Sequence, residues 1–262
     1  MFYGTELKHH SPSSVSSFLE NRAQWYSNKI IGDKFSGSEH TARGTAVEAG
    51  INNWLTCSDT DSTIEAIKHA LEIWHRETES FKDDPQFQLK ELEFKQSIAP
   101  LVNAGIESVK ERYLEEVIDA YPVQQHKISL DIPGCKFPVL GYLDWYFPNK
   151  LVVDNKVSGK KPSKLKQSYI VQGAVYHMAT GLPVEFHFEV ANKTPTITTF
   201  RMSKEDIQYG WMLFCRAAKA IENIFANPLD GQLLQDIFLA NPEAMFSEKD
   251  VKKALKDFEF IK

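Results

Sequence analysis

Two apolar, strand-like runs meet at a three-residue break in GYLDWYFPNKLVVDNKVSGKK, residues 141–161. This segment constrains the fold more than any other. Gly141 to Phe147 and Leu151 to Val157 are rich in Val, Leu, Tyr, Phe and Trp, which suit strands, and Pro148-Asn149-Lys150 is turn chemistry. The pattern predicts a β-hairpin. Pairing symmetric about Asn149 sets Asp144 directly opposite Asp154, where Cβ atoms stand roughly 4.5–5.5 Å apart. Because side chains alternate, Asp154 and Lys156 share one face, and Asp144 joins them. A slip of one residue would send Asp144 to the other face.

Two opposed carboxylates repel. At ~5 Å and an effective dielectric of about 20 the cost is roughly 3 kcal/mol. Lys156 offsets part of it, and a divalent cation offsets more, since Mg²⁺ takes one or two carboxylates together with phosphate oxygens. The bland alternative is an exposed hairpin carrying a surface Asp–Lys pair of little energetic weight. Between Lys150 and Lys166 there are six lysines against the single acid Asp154. Such a basic strip suits a phosphate-bearing ligand, although a solvated loop reads the same way.

The rest of the chain frames this hairpin. Its 262 residues, 42% hydrophobic and 25% charged, suffice for a sizeable core in one domain spanning 1–262. The net charge of −5 does not advertise nucleic-acid binding, so the distribution of charge matters more than its sum. Three scattered cysteines, Cys57, Cys135 and Cys215, form neither a disulfide framework nor a C-x-x-C site. With no signal-peptide pattern or apolar run of membrane length, a cytoplasmic protein without a membrane partner is expected.

Helical patterns run from Ser11 to about Ile30 and over about 41–55, 62–81 and 99–120, making an N-terminal helical part to about residue 120. Lys127 to Asp131 opens a strand-rich centre. A helix from Lys164 to Thr180 is stopped by Gly181. VEFHFEV (184–190) alternates strictly and predicts a half-buried strand paired with TITTF (196–200). Ser203 and Asp206 start a long helix, and helical, peripheral sequence follows from 229 to 262. Helices around a central group of strands make an α/β layered domain.

Two helices carry further polar candidates. In ARGTAVEAGINNWL (42–55), Val47, Ile51, Trp54 and Leu55 form an apolar stripe with Glu48 at its edge. Gly44, one turn earlier, leaves room for a neighbour or ligand. A helix-edge Glu is often simply solvated. In LKQSYIVQGAVYHMATG (165–181), Gln172 and Tyr176 lie one turn apart inside an apolar arc. Buried, both require hydrogen-bond partners. They are either a core amide and phenol satisfied by backbone, or a pair buttressing a polar site at the sheet.

Glu on a helix, Asp on a strand, D-x-K on the next strand, then Q-x-x-x-Y on a helix: in this order the chain resembles the PD-(D/E)XK nuclease superfamily, in its RecB-type exonuclease branch. That branch includes CRISPR-adaptation nucleases and viral recombination exonucleases. SPSSVSSFLENRAQWYSNKI, GTAVEAGI, GYLDW, VVDNKVSGKK and QGAVY carry the resemblance over about residues 11–200. It implies a restriction-endonuclease-like core, a central mixed β-sheet flanked by helices.

The resemblance further implies that Asp144 and Asp154 ligate Mg²⁺ or Mn²⁺, with Glu48 and the Asn155 carbonyl beside them, and that Lys156 is the catalytic lysine. Gln172 and Tyr176 match the branch's Q-x-x-x-Y pair. Lys160, Lys161, Lys164 and Lys166 are the expected contacts to DNA phosphates. Relatives often hold an iron–sulfur cluster, but Glu20-Asn21-Arg22 stands where they have Cys-Pro and no cysteine follows Cys215, so no cluster is expected. The implied activity is metal-dependent exonucleolytic hydrolysis of linear, end-bearing DNA in recombination, repair or viral genome processing. It leaves room for a recombination or single-strand-binding partner, in a bacterial or virus-infected cell. An endonuclease with the same site, or a non-catalytic nucleic-acid-binding protein keeping the fold, are the alternatives.

Overall fold

A computed structural model of the chain describes residues 7–26, 28, 29, 32, 38–56, 62–115 and 121–226. The helical sequence expected from 229 onward lies outside the described residues, as does Cys57.

The chain begins with α1 (Pro12–Glu20) and α2 (Arg22–Tyr26). The Ser11 hydroxyl accepts the Ser14 N–H at 3.2 Å and Pro12 occupies the first turn, a favoured helix start. One helix was expected here, but the chain breaks at Asn21, which is extended (φ −152°). Its side chain accepts the Gln24 N–H and so caps α2, the role that draws Asn out of helix interiors.

Four helices follow: α3 (Glu39–Thr56), α4 (Ser62–Thr78), the short α5 (Pro85–Gln88) and α6 (Glu91–Val109). Val47, Ile51, Trp54 and Leu55 of α3 are buried as the periodicity predicts. A neighbouring helix approaches closely at Gly50, while the space beside Gly44 is open. A Cβ on Gly50 would lie 2.9 Å from the Ala70 Cβ and 3.0 Å from Val102, whereas one on Gly44 would meet nothing. α6 begins eight residues before the expected start and carries Pro100 within it. The buried stripe Phe94, Ile98, Leu101, Val102, Ile106 and Val109 outweighs that interruption. A π-helical turn, Lys110–Glu115, extends α6.

The sheet comprises β1 (Val123–Leu130), β2 (Val139–Phe147), β3 (Leu151–Ser158), β4 (Val184–Val190) and β5 (Thr196–Arg201), in spatial order β1-β2-β3-β4-β5. Only the β3–β4 pair is parallel, and α7 (Gln167–Thr180) makes that crossover. α8 (Lys204–Ala226) follows β5. The fold is therefore α/β, a mixed five-stranded sheet flanked by helices. One layer packs Val15, Phe18, Val171, Val175 and Phe214 on Val152, Phe186 and Phe188. The opposite layer packs Ile51, Trp74, Leu101 and Ile106 against Trp145, Phe147 and Val153. No helix of the described residues is long and apolar enough to cross a membrane.

β4 departs from the half-buried strand that its alternation suggests. All seven residues are buried, because helices cover both faces of this central strand, as parallel strands require. Its polar side chains face a second core rather than water. Glu185 takes Arg112 Nη2 at 3.0 Å and Tyr113 Oη at 3.5 Å. His187 and Glu189 are fully buried, with His187 Nε2 3.7 Å from Glu189 Oε1.

Candidate active site

The hairpin turn is Pro148-Asn149-Lys150, with Asn149 in the left-handed region (φ 61°) and the Lys150 N–H donating to the Phe147 carbonyl at 3.1 Å. Asn tolerates this conformation better than most residues. The rungs are Phe147↔Leu151, Tyr146↔Val152 and Trp145↔Val153, so the next position sets Asp144 against Asp154. There the ladder stops. The β1–β2 ladder also omits the Gln125/Asp144 pair, and Gln125 has φ 48°. Leu143 and Trp145 would share a face on a regular strand, yet Leu143 joins one core layer and Trp145 the other. β2 therefore turns over at Asp144. Where the strands part, Asp144 Oδ2 accepts the Asn155 N–H at 2.8 Å, in place of a ladder carbonyl.

Asp154 is fully buried. Its Oδ2 is paired with the Lys156 ammonium, and its Oδ1 accepts from Gln172 Nε2 at 2.9 Å. Gln172 Nε2 also reaches Tyr176 Oη at 2.6 Å, and that hydroxyl donates to the Tyr142 carbonyl at 3.1 Å. The polar pair on α7 thus fastens the β3 aspartate to the backbone of β2.

Glu48 comes from α3 and feels the charges of both Lys156 and Asp154. Gln125 Nε2 donates to its Oε1 at 2.9 Å, and the Asn52 side chain also bonds it. Asn52 in turn accepts Trp145 Nε1 at 2.8 Å on its side chain and Gln124 Nε2 at 3.0 Å on its carbonyl. These bonds dock α3 on β1 and β2 with Glu48 toward the two aspartates.

Electrostatics follow from this crowding. Burial, then the Asp154 charge, push the Asp144 carboxyl well above the ordinary range, against the pull of Lys156. Burial likewise raises Asp154 and Glu48, with Lys156 opposing in both. For Lys156, burial disfavours the ammonium, but the charges of Asp154 and Asp144 outweigh it and raise its pKa. Three acids thus crowd one lysine, each shifted toward its protonated form.

The structure thus brings Glu48, Asp144, Asp154, Lys156, Gln172 and Tyr176 together, with Asn155 buried between them. Lys160, Lys161, Lys164 and Lys166 are exposed on the β3–α7 connection. The donor set fits a hard cation. Both acids are oxygen ligands, and Asp144 Oδ1 takes no bond from a described residue. Among the described residues, however, no three His, Cys, Asp or Glu side chains form a cage by themselves.

Three contributors escape sequence reasoning. Asn52 stands four residues from Glu48 on the same helix, a spacing that places neighbours on one face. Gln125 is 77 residues from Glu48 and carries no local signal. Glu189 senses the charges of Glu48 and Asp144 from the core side of β4.

No protein-family model matches the chain, and no curated protein matches it. Among solved structures, a protein of Eubacterium rectale proposed to be an exonuclease aligns at a TM-score of 0.61 and 13% identity. The match covers 95% of this chain and 98% of that one. A second, SSO0001, aligns at a TM-score of 0.31 and 16% identity over 62% of this chain and 83% of its own. The first shares the fold; the second is too remote to bear on it.

Proposed function

We propose that the protein is a divalent-metal-dependent deoxyribonuclease that degrades linear DNA from its ends. One observation carries this reading: two carboxylates, the half-buried Asp144 and the fully buried Asp154, converge with Glu48 and the Lys156 ammonium where β2 and β3 part. The fold shared with a protein proposed to be an exonuclease supports it at the level of architecture.

Asp144, Asp154 and the Asn155 carbonyl, with Glu48 beside them, would hold Mg²⁺ or Mn²⁺, which when bound lowers the pKa of a coordinated water and polarises a phosphoryl oxygen. The chain's own groups supply the rest. Lys156 has three donors, so its ammonium holds Asp154 and still meets a phosphate oxygen on which charge develops. Gln172, locked by Tyr176, keeps the Asp154 carboxylate in one orientation. Asn155 does the same for Asp144 through its N–H. The exposed lysines at 160, 161, 164 and 166 suit sequence-independent, salt-sensitive contacts to phosphates. End-directed cleavage of this kind serves recombination, repair or viral genome processing.

The test is incubation of end-labelled linear and closed-circular DNA with Mg²⁺, Mn²⁺ or EDTA. The expected result is metal-dependent loss of linear DNA alone. Cutting of the circle would make the protein an endonuclease using the same groups. Binding without cleavage in any metal would leave a non-catalytic DNA-binding protein.

A further inference from the structure

A cleft of about 300 Å³ opens between α1, α2 and the N-terminal turn of α7. Its walls include Ser13, Ser17, Gln24, Tyr169 and Gln172. It adjoins the site through two of these. Gln172 holds Asp154, and the Tyr169 ring centre lies 6.0 Å from the Lys156 ammonium. Tyr169 is braced by Phe186 and Phe188, with ring centres 5.5 and 5.6 Å away. Gln24 is only 8% exposed. It lines the cleft, and no hydrogen bond joins its carboxamide to another described residue. Ser16 Oγ ties this wall to α7 through the Ser168 carbonyl at 3.3 Å.

A braced aromatic ring, a carboxamide free of bonds to the other described residues and flanking hydroxyls match one class of ligand. A primary amide offers a donor and an acceptor, as the edge of a nucleobase does. Bases of single strands stack on aromatic side chains and are read on their edges. The volume stands at the lower end of small-ligand clefts, suiting one nucleoside rather than a longer stretch of strand.

We propose that this cleft is a nucleoside subsite, taking the base next to the scissile phosphate, its face on Tyr169 and its edge at Gln24. The proposal rests on the nuclease reading for the position of the phosphate at Lys156. It makes the terminal base pair open before cleavage, since a paired base cannot enter.

The test uses the full chain in Ca²⁺ with EDTA controls, and oligonucleotides carrying 2-aminopurine at the terminal or an internal position. The expected result is a change in 2-aminopurine emission on binding at the terminal position alone, lost in Tyr169→Leu and in Ser17→Trp, which fills the cleft from a half-buried position. In Mg²⁺, an abasic terminal residue should lower kcat/KM about 10-fold or more for the wild type, with Gln24→Leu showing no further loss on that substrate. Free deoxyadenosine monophosphate should compete only weakly if the subsite serves strands, and strongly if it serves free nucleotides. Equal cleavage of abasic and intact ends, with unchanged emission at every position, would overturn the subsite while leaving the nuclease reading intact. Absence of cleavage with the terminal emission change retained would overturn the nuclease reading and keep the subsite.

Discussion

Asp144 accepts the backbone N–H of Asn155 at 2.8 Å, one residue past the last rung that joins β2 to β3. The carboxylate therefore serves the strand as well as any cation, and substitutions separate the two roles. Asp144→Ala leaves the Asn155 N–H without its acceptor, a loss of about 1–3 kcal/mol in urea unfolding. Asp144→Asn keeps an oxygen there and removes a charge whose pKa burial and Asp154 have raised. A raised carboxyl pKa favours the native state at low pH and disfavours it once ionised. In EDTA at neutral pH, Asp144→Asn should thus melt at or above the wild-type Tm. Mg²⁺ should then raise the wild-type Tm, by the equivalent of about 2.7 kcal/mol at 100 times Kd, and leave the variant unmoved.

Lys156 and Asp154 form a pair that removal of either partner exposes. Lys156→Met leaves a fully buried carboxylate without its counter-charge. Breaking such a pair costs about 3–5 kcal/mol, and the partial exposure of Lys156 puts this case at the low end. Asp154→Asn together with Lys156→Met should recover much of that stability. A double-mutant cycle by urea unfolding measures the coupling, and strict additivity would contradict the pairing.

Gln125 combines an unfavourable backbone with a useful side chain. A non-glycine residue at φ 48° is uncommon, and Gln125→Gly relieves it at the usual entropic cost of glycine in a strand. The two effects nearly cancel, so unfolding free energy should change by less than about 1 kcal/mol. Glu48 loses its 2.9 Å bond, and DNA cleavage should fall. Stability and activity measured on one preparation check this dissociation.

The acid sensitivity of α8 follows from Glu222. Its carboxylate accepts the Lys136 and Phe137 N–H groups and pairs with His10 Nε2 at 3.1 Å. Burial works against the Glu222 carboxylate, but these bonds prevail and lower its pKa below the ordinary 4.5. Burial depresses His10 from 6.5 despite Glu222. Both native pKa values lie below the unfolded ones, so both groups stabilise above those values and the stabilisation fades as pH falls. The wild-type advantage over Glu222→Ala should be present at pH 7, hold or grow below about 6.5, because Glu222 opposes the burial that disfavours a charged His10, and be lost as pH falls through the Glu222 pKa below 4.5. Unfolding curves at pH 7, 5.5 and 3.5 would show it.

The hairpin and its register were legible because a local turn, Pro148-Asn149-Lys150, fixes them. Gln172 and Tyr176 were legible as polar groups in an apolar arc, and Val47, Ile51, Trp54 and Leu55 as a buried stripe. What escaped depends on contacts between distant parts of the chain. VEFHFEV alternates like a strand with one wet face, and only the helices stacked on both sides show that Glu185, His187 and Glu189 are buried. The turnover of β2 at Asp144 is likewise silent in sequence, since its counterpart is the backbone of Gln125. The break at Asn21 carried a weak local signal, an Asn within a helical run.

The single-turnover rate of linear-duplex cleavage by Asp144→Asn, beside the wild type at saturating Mg²⁺, separates a metal-holding carboxylate from a purely structural one. The substitution preserves the acceptor for Asn155 and so the fold. If Asp144 and Asp154 are the metal-holding pair, the variant should be slower by at least about 100-fold, on the order of 3 kcal/mol of transition-state stabilisation. A folded variant cleaving at the wild-type rate would contradict the account.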